Sequence, residues 1–426
     1  MQNIRLTHFL PLPAAIAAGL ACCPDLAAQA YTTTVVARGL LRPTGIAAAG
    51  DGTLWVTEVP DPGQGGARNT VSELDPTGNK TVLVAGEPQP TNLARAHNGD
   101  LFWTCLSAGV VQTYHNGTRT TLLRGLDHPS GMAVDAVGAT VYFTQVPTPG
   151  QNGMNGGRNS VDAWTMAGGV QTLSMGEPEP RDVAVDPAGN LFWTCKSAGV
   201  ILRRDAGSGM IAPVLKGLEQ PNGIAADASG TIYFTEVPTP GMSASNGGRN
   251  RVSRYVPGTH ALTIVDFGDP EPTDVAVTPD GSAVYWTCSS AGVVVRATPN
   301  RAPVTLSTMS PLGMGRPTPL LLRASAHAGQ TYVAASSLGL GPIAVAGENL
   351  ALAPDALFSA SVGGATPSVF GGYLGRLDGA GAASAAIFLP LLPPLVGVNI
   401  NTAYVVLDLA SPAGFVASDT LYLLVD

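Results

Sequence analysis

Short runs of alternating apolar and polar residues, separated by Gly, Asn and Asp turns, recur along most of the chain. The runs are rich in β-branched and aromatic residues, a pattern typical of a strand meander. In one stretch it predicts four strands, at 131–135, 140–145, 160–165 and 170–175. No segment shows the 3.6-residue apolar periodicity of an amphipathic helix. We therefore expect an all-β protein.

A unit of about 90 residues occurs three times, which is the scale of a repeat architecture. Its first half reads PTGIAAAGDGTLWVTE from Pro43 and PNGIAADASGTIYFTE from Pro221. Its second half reads PRDVAVDPAGNLFWTC from Pro180 and resembles the first half. Six units with four predicted strands each are the signature of a six-bladed β-propeller, which we place at 31–300.

A closed ring of sheets must join its last blade to its first or leave a strand edge unpaired. The segment TTTVVARGLLRP, which begins at Thr32, matches the outer strands of the second and fourth units, RTTLLRGLDHP and APVLKGLEQP. We predict that residues 32–38 complete the sixth blade.

From about residue 301 the repeat ends and Lys is absent. Runs such as TPLLLRASA, QTYVAASS, TAYVVLD and TLYLLVD predict about seven strands. Such a pattern favours a C-terminal antiparallel β-sandwich over 301–426. Retention at the cell surface or packing against the propeller is the role we expect for this domain.

The first 30 residues have the pattern of a secretory signal peptide: an early cation, an apolar stretch over 9–22, and Ala28, Gln29 and Ala30 before a cleavage point at Tyr31. Lipoprotein processing at Cys22 is one alternative, and a buried first helix is another, disfavoured by two prolines and a glycine in the stretch. No later run reaches the roughly 18 apolar residues of a membrane span. We expect a secreted, periplasmic or cell-surface protein.

Only 12% of the residues are charged, the net charge is -8, and no basic run is present. This composition excludes a nucleic-acid partner, because phosphate binding needs clustered cations. Cleavage would leave Cys105, Cys195 and Cys288, which end equivalent strands of alternate blades. Their separation in a propeller exceeds the reach of a disulfide, so we interpret them as small buried fillers.

The run PxGIAxDxxGxxYxTE resembles the blade motif of the NHL-repeat, gluconolactonase-like and streptogramin-lyase-like propellers, over about residues 31–300. The NHL pattern continues directly into an Asn-Arg pair. Here the odd units insert a Pro/Gly-rich loop and have the order Arg-Asn. The resemblance implies the propeller fold and, as one possibility for activity, a metal-dependent lactonase or lyase.

In propellers of this kind, the starts of the innermost strands and the ends of the second strands lie on one face with the blade connections. The expected channel mouth comprises Thr44, Asn92, Ser130, Asp182, Asn222 and Asp274. One strand further out the same face has Glu58, Gln145 and Glu236, and the loops of the odd blades add Arg68, Arg158 and Arg249.

Asn92, Asp182, Asn222 and Asp274 offer the oxygen ligands that Ca²⁺ or another divalent cation requires. The resemblance implies the same set, since gluconolactonase-like enzymes use Asn, Asp and Glu at strand starts for their metal. The alternative is structural: Asn92, Asp182 and Asp274 accept hydrogen bonds from loop amides. Their repetition in every even blade favours this second interpretation.

A streptogramin-lyase-like mechanism would need a His general base, and His128 is the candidate because its counterparts in the other odd blades are Arg42 and Gln220. A solvent-exposed loop His is the alternative. Arg68, Arg158 and Arg249 suit the binding of an anion, or they hold their own loops by bonding nearby carbonyls or acids.

The leading hypothesis is an exported propeller that binds a protein, glycan or small-molecule ligand on its loop-rich face. The expected contact residues are Glu58, Arg68, Arg158, Glu236 and Arg249. The alternatives are the metal-dependent lactonase or lyase and a purely structural envelope protein.

Overall fold

The computed structural model describes residues 31–61, 66–147, 158–238, 250–299, 304–308, 312–345, 348–362, 367–391, 393–408, 415–418 and 420–425. The expected signal peptide and Arg249 lie outside these ranges. The chain forms two compact units. One comprises 31–258 and 262–300, and the other includes 259–261 and 301–426.

The first unit is built from six four-stranded antiparallel arrangements, or blades, and in the first five the strands pair in chain order from the inner to the outer strand. The strands of blade one are β2 (Pro43–Ala48), β3 (Leu54–Glu58), β4 (Thr70–Leu74) and β5 (Lys80–Ala85). Those of blade two are β6 (Pro90–Arg95), β7 (Leu101–Cys105), β8 (Val110–His115) and β9 (Thr118–Leu123). Those of blade three are β10 (Pro129–Val134), β11 (Thr140–Gln145), β12 (Ser160–Thr165) and β13 (Gly169–Met175).

The remaining blades repeat this plan. The strands of blade four are β14 (Pro180–Val185), β15 (Leu191–Cys195), β16 (Val200–Arg204) and β17 (Ile211–Leu215). Those of blade five are β18 (Pro221–Ala226), β19 (Ile232–Glu236), β20 (Arg251–Val256) and β21 (Ala261–Phe267). Those of blade six are β22 (Pro272–Val277), β23 (Val284–Cys288), β24 (Val293–Pro299) and, as the outer strand, β1 (Tyr31–Ala37).

The six inner strands are neighbours in cyclic order, with β22 next to β2, so the blades form a closed ring. The all-β propeller expected from the repeat is confirmed. Strand β1 pairs with β24 from Tyr31 opposite Pro299 to Ala37 opposite Val294. The N-terminal segment therefore occupies the outer position of blade six, where the sequence placed residues 32–38.

In five of the six blades the second strand is the most deeply buried one. β3, β7, β15, β19 and β23 are buried along their whole length, and Trp103, Trp193 and Trp286 are fully buried. Side chains on both faces of these strands are buried, which is why most of their residues are apolar. Burial of each large aromatic side chain contributes about 2–3 kcal/mol.

The Thr that ends the repeated motif has a structural role. Each inner strand begins with a register shift after its Pro, as between Pro43 and Ile46. In this bulge the Gly45 amide donates to Thr57 Oγ1 at 2.7 Å. The Gly131 amide donates to Thr144 Oγ1 at 2.8 Å in the same way. In five of the six blades the equivalent hydroxyl accepts this amide, and it replaces a lost ladder bond at the start of the inner strand.

The described residues of the second unit form two main sheets, a hairpin and one helix, α1 (Ala356–Val362). One sheet has the order β25 (Thr305–Thr308), β26 (Pro317–Arg323), β32 (Ala382–Phe388), β30 (Phe370–Gly371). The other has β35 (Thr420–Leu424), β33 (Asn399–Leu407), β27 (Thr331–Ser337), β31 (Leu374–Arg376), with β34 (Phe415–Ala417) on β33. The hairpin pairs β28 (Pro342–Val345) with β29 (Glu348–Ala351), and two 3₁₀ turns span Ser325–His327 and Pro393–Leu395.

Both sheets of this unit contribute to one apolar core, which includes Leu320, Leu322, Ile387, Tyr404 and Leu421. The unit has more elements than the seven strands we expected, and the β-sandwich stays a prediction for it. Within the described ranges, no helix is both long enough and apolar enough to cross a membrane.

Candidate functional site

The residue before the Pro of each inner strand has a left-handed backbone. These six residues, with φ between 51° and 59°, are Arg42, Gln89, His128, Glu179, Gln220 and Glu271. We call them the mouth ring. Such a φ is uncommon outside Gly. This backbone conformation is stabilised because the carbonyl of each of the six residues accepts a hydrogen bond from the amide that follows the second strand of its blade. The Val59 amide donates to the Arg42 carbonyl at 3.1 Å, and the Lys196 amide donates to the Glu179 carbonyl at 3.0 Å.

Below the mouth ring, the third residue of each inner strand alternates between Gly and Asn or Asp. The odd blades have Gly45, Gly131 and Gly223, and the even blades have Asn92, Asp182 and Asp274. A Cβ atom on Gly131 would lie 2.3 Å from Asp182 Cα, and one on Gly223 would lie 2.7 Å from Asp274 Cα. The glycines therefore allow adjacent inner strands to approach closely at this level.

The carboxylates of Asp182 and Asp274 accept amides from the neighbouring odd blades. Asp182 accepts the Ile224 amide at 2.8 Å, and the Met132 amide lies at 3.3 Å. Asp274 Oδ2 accepts the Ile46 amide at 2.9 Å and Asn92 Nδ2 at 3.2 Å. Each carboxylate also accepts the amide of the next residue at 2.8 Å.

Asp182 and Asp274 also interact with each other, although they are 92 residues apart in sequence and belong to blades four and six. Burial raises the pKa of Asp182 to about 7. Burial and the nearby charge of Asp182 raise the pKa of Asp274 well above its usual range. One proton shared between the two groups avoids placing two bare charges in a buried site, with Asp274 as its donor.

The expected metal set is only partly brought together. Asn92 and Asp182 both meet Asp274, whereas Asn222 Nδ2 donates to the Thr273 carbonyl at 2.5 Å. The carboxylate oxygens already accept amides whose positive ends point toward them. A cation at this point would face those same donors, so the residues present do not fit a resident Ca²⁺. Among the described residues, no group of three or more His, Cys, Asp or Glu is arranged to hold a metal ion.

The inner strands enclose a cavity of about 170 Å³ along the axis of the ring. Its walls are mainly Ala, Val and Ile, with Asn92, Asp182 and Asp274 as polar side chains and Arg95 also in the lining. The Arg95 guanidinium lies over the Trp55 ring at 4.8 Å. The channel is therefore a narrow space lined mainly by small aliphatic residues, and its acids accept main-chain amides.

Further out on the same face, the acids that end β3 and β19 are buried. Glu58 accepts the Leu41 amide at 2.7 Å and pairs with Lys80 Nζ at 2.9 Å. Glu236 accepts the Glu219 amide at 2.6 Å and pairs with Arg251. These carboxylates, expected as ligand contacts, fix the connection into their own blades, and both are only 1% exposed.

The cations of the odd-blade loops remain at the surface. The Arg68 side chain is 66% exposed and pairs with Asp61, and that of Arg158 is 77% exposed and pairs with Asp127 at 2.8 Å. Asp127 also contacts His128 Nδ1 at 2.8 Å, and the His128 side chain is 58% exposed. The three side chains are thus exposed and oriented by carboxylates.

The Asn beside each of these arginines was missed as a functional position. Asn69 Nδ2 donates to the Glu87 carbonyl at 3.0 Å, and Asn159 Nδ2 donates to the Glu177 carbonyl at 3.1 Å. Asn250 Nδ2 reaches the Asp269 carbonyl at 3.2 Å. All three are fully buried and tie the odd-blade loops to the blade connections. An Asn occurs at this position in all three repeats, and that repetition could have identified it from the sequence.

The acids of the blade connections have an equally structural role. Glu87 accepts Trp103 Nε1 at 2.9 Å and Cys105 Sγ at 3.3 Å, and Asp269 accepts Trp286 Nε1 at 2.7 Å. Burial, followed by the charge of the nearby acid, raises the pKa of all three thiols. The cysteines are buried as expected, but they also donate to carboxylates, and the raised pKa makes them inert.

The sequence matches no protein-family model and no curated protein. Among solved structures, a gluconolactonase from Xanthomonas campestris is 14% identical, with a TM-score of 0.51, over 63% of this chain and 89% of that one. A putative gluconolactonase is 12% identical, with a TM-score of 0.47, over 63% and 92% of the two chains. A streptogramin B lyase is 18% identical, with a TM-score of 0.45, over 63% and 98%.

At such identities, structural likeness establishes the fold and nothing finer. It agrees with the closed ring of six blades and with the motif that begins at Pro43 and Pro221. The described residues between 31 and 299 therefore form a six-bladed β-propeller, similar in fold to the gluconolactonase from Xanthomonas campestris.

Proposed function

We propose that this chain is an exported binding module and that its loop-bearing face, comprising the mouth ring and the odd-blade loops, contacts a protein, glycan or small-molecule ligand. Export rests on the signal-peptide pattern of residues 1–30. Arg68, Arg158 and, by its equivalent place in the repeat, Arg249 are the proposed contacts.

The observation that carries the proposal is the arrangement of exposed basic side chains around Asp127. This one carboxylate contacts both His128 and Arg158, and both side chains are more than half exposed. Side chains held in one orientation lose less conformational entropy when a ligand binds. By contrast, the inward-facing Glu58, Glu236 and Asp182 already have partners within the propeller.

A lactonase or lyase is the second candidate, and one contact favours it. Asp127 holds His128 at Nδ1, so that Nε2 is available as a general base. The metal-dependent form of this activity lacks a suitable ligand set, because the oxygens of Asp182 and Asp274 accept main-chain amides. We therefore favour binding over catalysis.

The binding proposal predicts that replacement of Arg68, Arg158 and Arg249 by Ser abolishes ligand capture without unfolding the protein. Wild-type protein would be screened against arrayed glycans, a panel of small organic acids and purified secreted proteins. Every positive would be measured again with the triple variant. Arg203→Ser is the control, since Arg203 pairs with Asp205 near the end of β16 that is farther from the loop-bearing face.

Capture that survives the triple replacement would contradict the proposed contact surface. Metal analysis of the purified protein tests the second candidate. We expect no stoichiometric divalent ion, whereas an ion that is present in wild-type protein and lost in Asp182→Ala would favour the enzyme. His128→Gln would then be assayed for turnover.

A further inference from the structure

Blade four departs from the other even blades at two positions on the loop-bearing face. The residue after the inner-strand Pro is Arg181, where blades two and six have Thr91 and Thr273. The residue after the second strand is Lys196, where they have Leu106 and Ser289. The flanking motif, LFWTC followed by SAGV, is otherwise shared with blade two. The fold therefore does not require these cations.

The two cations lie beside the same residue of the mouth ring. Arg181 Nη2 donates to Glu179 Oε1 at 2.7 Å, and the Lys196 amide donates to the Glu179 carbonyl. Arg181 Nε is buried and has no hydrogen-bond partner among the described residues. The Lys196 side chain is partly buried near Arg181, with Glu271 of blade six also close enough to influence it.

Two neighbouring cations in a partly buried place repel each other. Burial, followed by the positive charge of Arg181, lowers the pKa of Lys196, and Glu179 and Glu271 offset this only in part. The Glu179 carboxylate is committed to Arg181. An additional anion would stabilise both cations, since charge-assisted hydrogen bonds are strongest where water is partly excluded.

We propose that Arg181 and Lys196 form a receptor for the carboxylate or phosphate group of a ligand bound at the mouth ring. This inference rests on the proposed binding function of the loop-bearing face and specifies the ligand chemistry at its centre. Arg181 supplies a planar guanidinium fork, and Lys196 supplies a mobile ammonium group. Either anion would bridge them, so the test must distinguish the two.

The chain has only three lysines, Lys80, Lys196 and Lys216, which makes a direct measurement feasible. Reductive methylation with ¹³C-formaldehyde labels each amine and preserves its charge. Variants with Arg at each position assign the three resonances. We expect the Lys196 resonance to titrate below the usual range of a lysine, because burial and the charge of Arg181 lower its pKa. Succinate or inorganic phosphate should shift the Lys196 resonance saturably and raise its pKa.

The same titrations in Arg181→Gln should require at least tenfold more anion for an equal shift. A response to succinate alone identifies a carboxylate receptor, and a response to phosphate alone identifies a phosphate receptor. A Lys196 resonance that responds no more than that of Lys216, or responds equally in Arg181→Gln, overturns the inference. Ligand capture that depends on Arg68 and Arg158 would stand even then, so the two proposals can fail separately.

Discussion

Odd and even blades share four strands and one Thr-anchored bulge, but they use the inner strand differently. In odd blades the third residue is Gly, and the second strand ends in Glu58, Gln145 or Glu236, which accepts an amide from the blade connection. In even blades the third residue is Asn or Asp, and the second strand ends in Cys above an acid of the connection. The odd blades supply the glycines and the amides, and the even blades supply the Asn and Asp side chains that lie against them.

This comparison explains why the sequence repeats at about 90 residues and not at half that length. An Asp on an inner strand needs a glycine on the adjacent inner strand, because a Cβ atom at position 131 would clash with Asp182. It also needs an amide from the odd blade on its other side, as Ile224 of blade five supplies to Asp182. Two successive blades are therefore the smallest unit with complementary surfaces, and three such pairs close the ring.

The largest effect should come from the proton shared by Asp182 and Asp274 of the even blades. Both groups have a pKa above the unfolded value near 3.8, so the folded protein binds more protons than the unfolded chain between about pH 4 and 7. Stability is present at the acid end of this window and is lost as pH rises. The slope is about 1.4 kcal/mol per pH unit for each extra proton. Urea unfolding at several pH values measures it.

Asp274→Asn should flatten this slope, because an amide replaces the protonated carboxyl as donor to Asp182. Burial, together with the charge of Asp269, raises the pKa of Asp266 to about 8, so this second pair adds a slope of the same sign. Asp266→Asn is the matched control and should remove only that part. An unchanged slope in Asp274→Asn would contradict the shared proton.

The second test exchanges the character of an odd blade. Gly131→Ala places a Cβ atom 2.3 Å from Asp182 Cα and 2.7 Å from the Arg181 carbonyl, and both are main-chain atoms that cannot rotate away. We expect a loss of about 3 kcal/mol from this overpacking. Gly50→Ala is the control, since a Cβ atom there would meet nothing within 4 Å. Equal denaturation midpoints for the two variants would refute the close approach.

The sequence predicted what depends on local pattern. The strand expected at 140–145 is β11, the one at 160–165 is β12, and the neighbouring strands differ by one or two residues at an end. The sequence could not place the four expected metal ligands relative to one another, since the direction of the Asn222 side chain depends on a carbonyl 51 residues away. The mouth ring could not be foreseen, because a residue before Pro ordinarily prefers an extended backbone.

The smallest expected effect is the loss of stability on removing the Thr hydroxyl that accepts the bulge amide, and it should be the same in odd and even blades. Thr144 Oγ1 accepts the Gly131 amide at 2.8 Å in blade three, and Thr194 Oγ1 accepts the Asp182 amide at 3.2 Å in blade four. Val at either position leaves that buried amide without an acceptor, at a cost of about 1–3 kcal/mol. Thr→Ser, which keeps the hydroxyl, should recover much of the loss in both blades. If only the even-blade variant lost stability in urea unfolding, the bulge would depend on blade type, and the distinction between odd and even blades would extend to the strand starts.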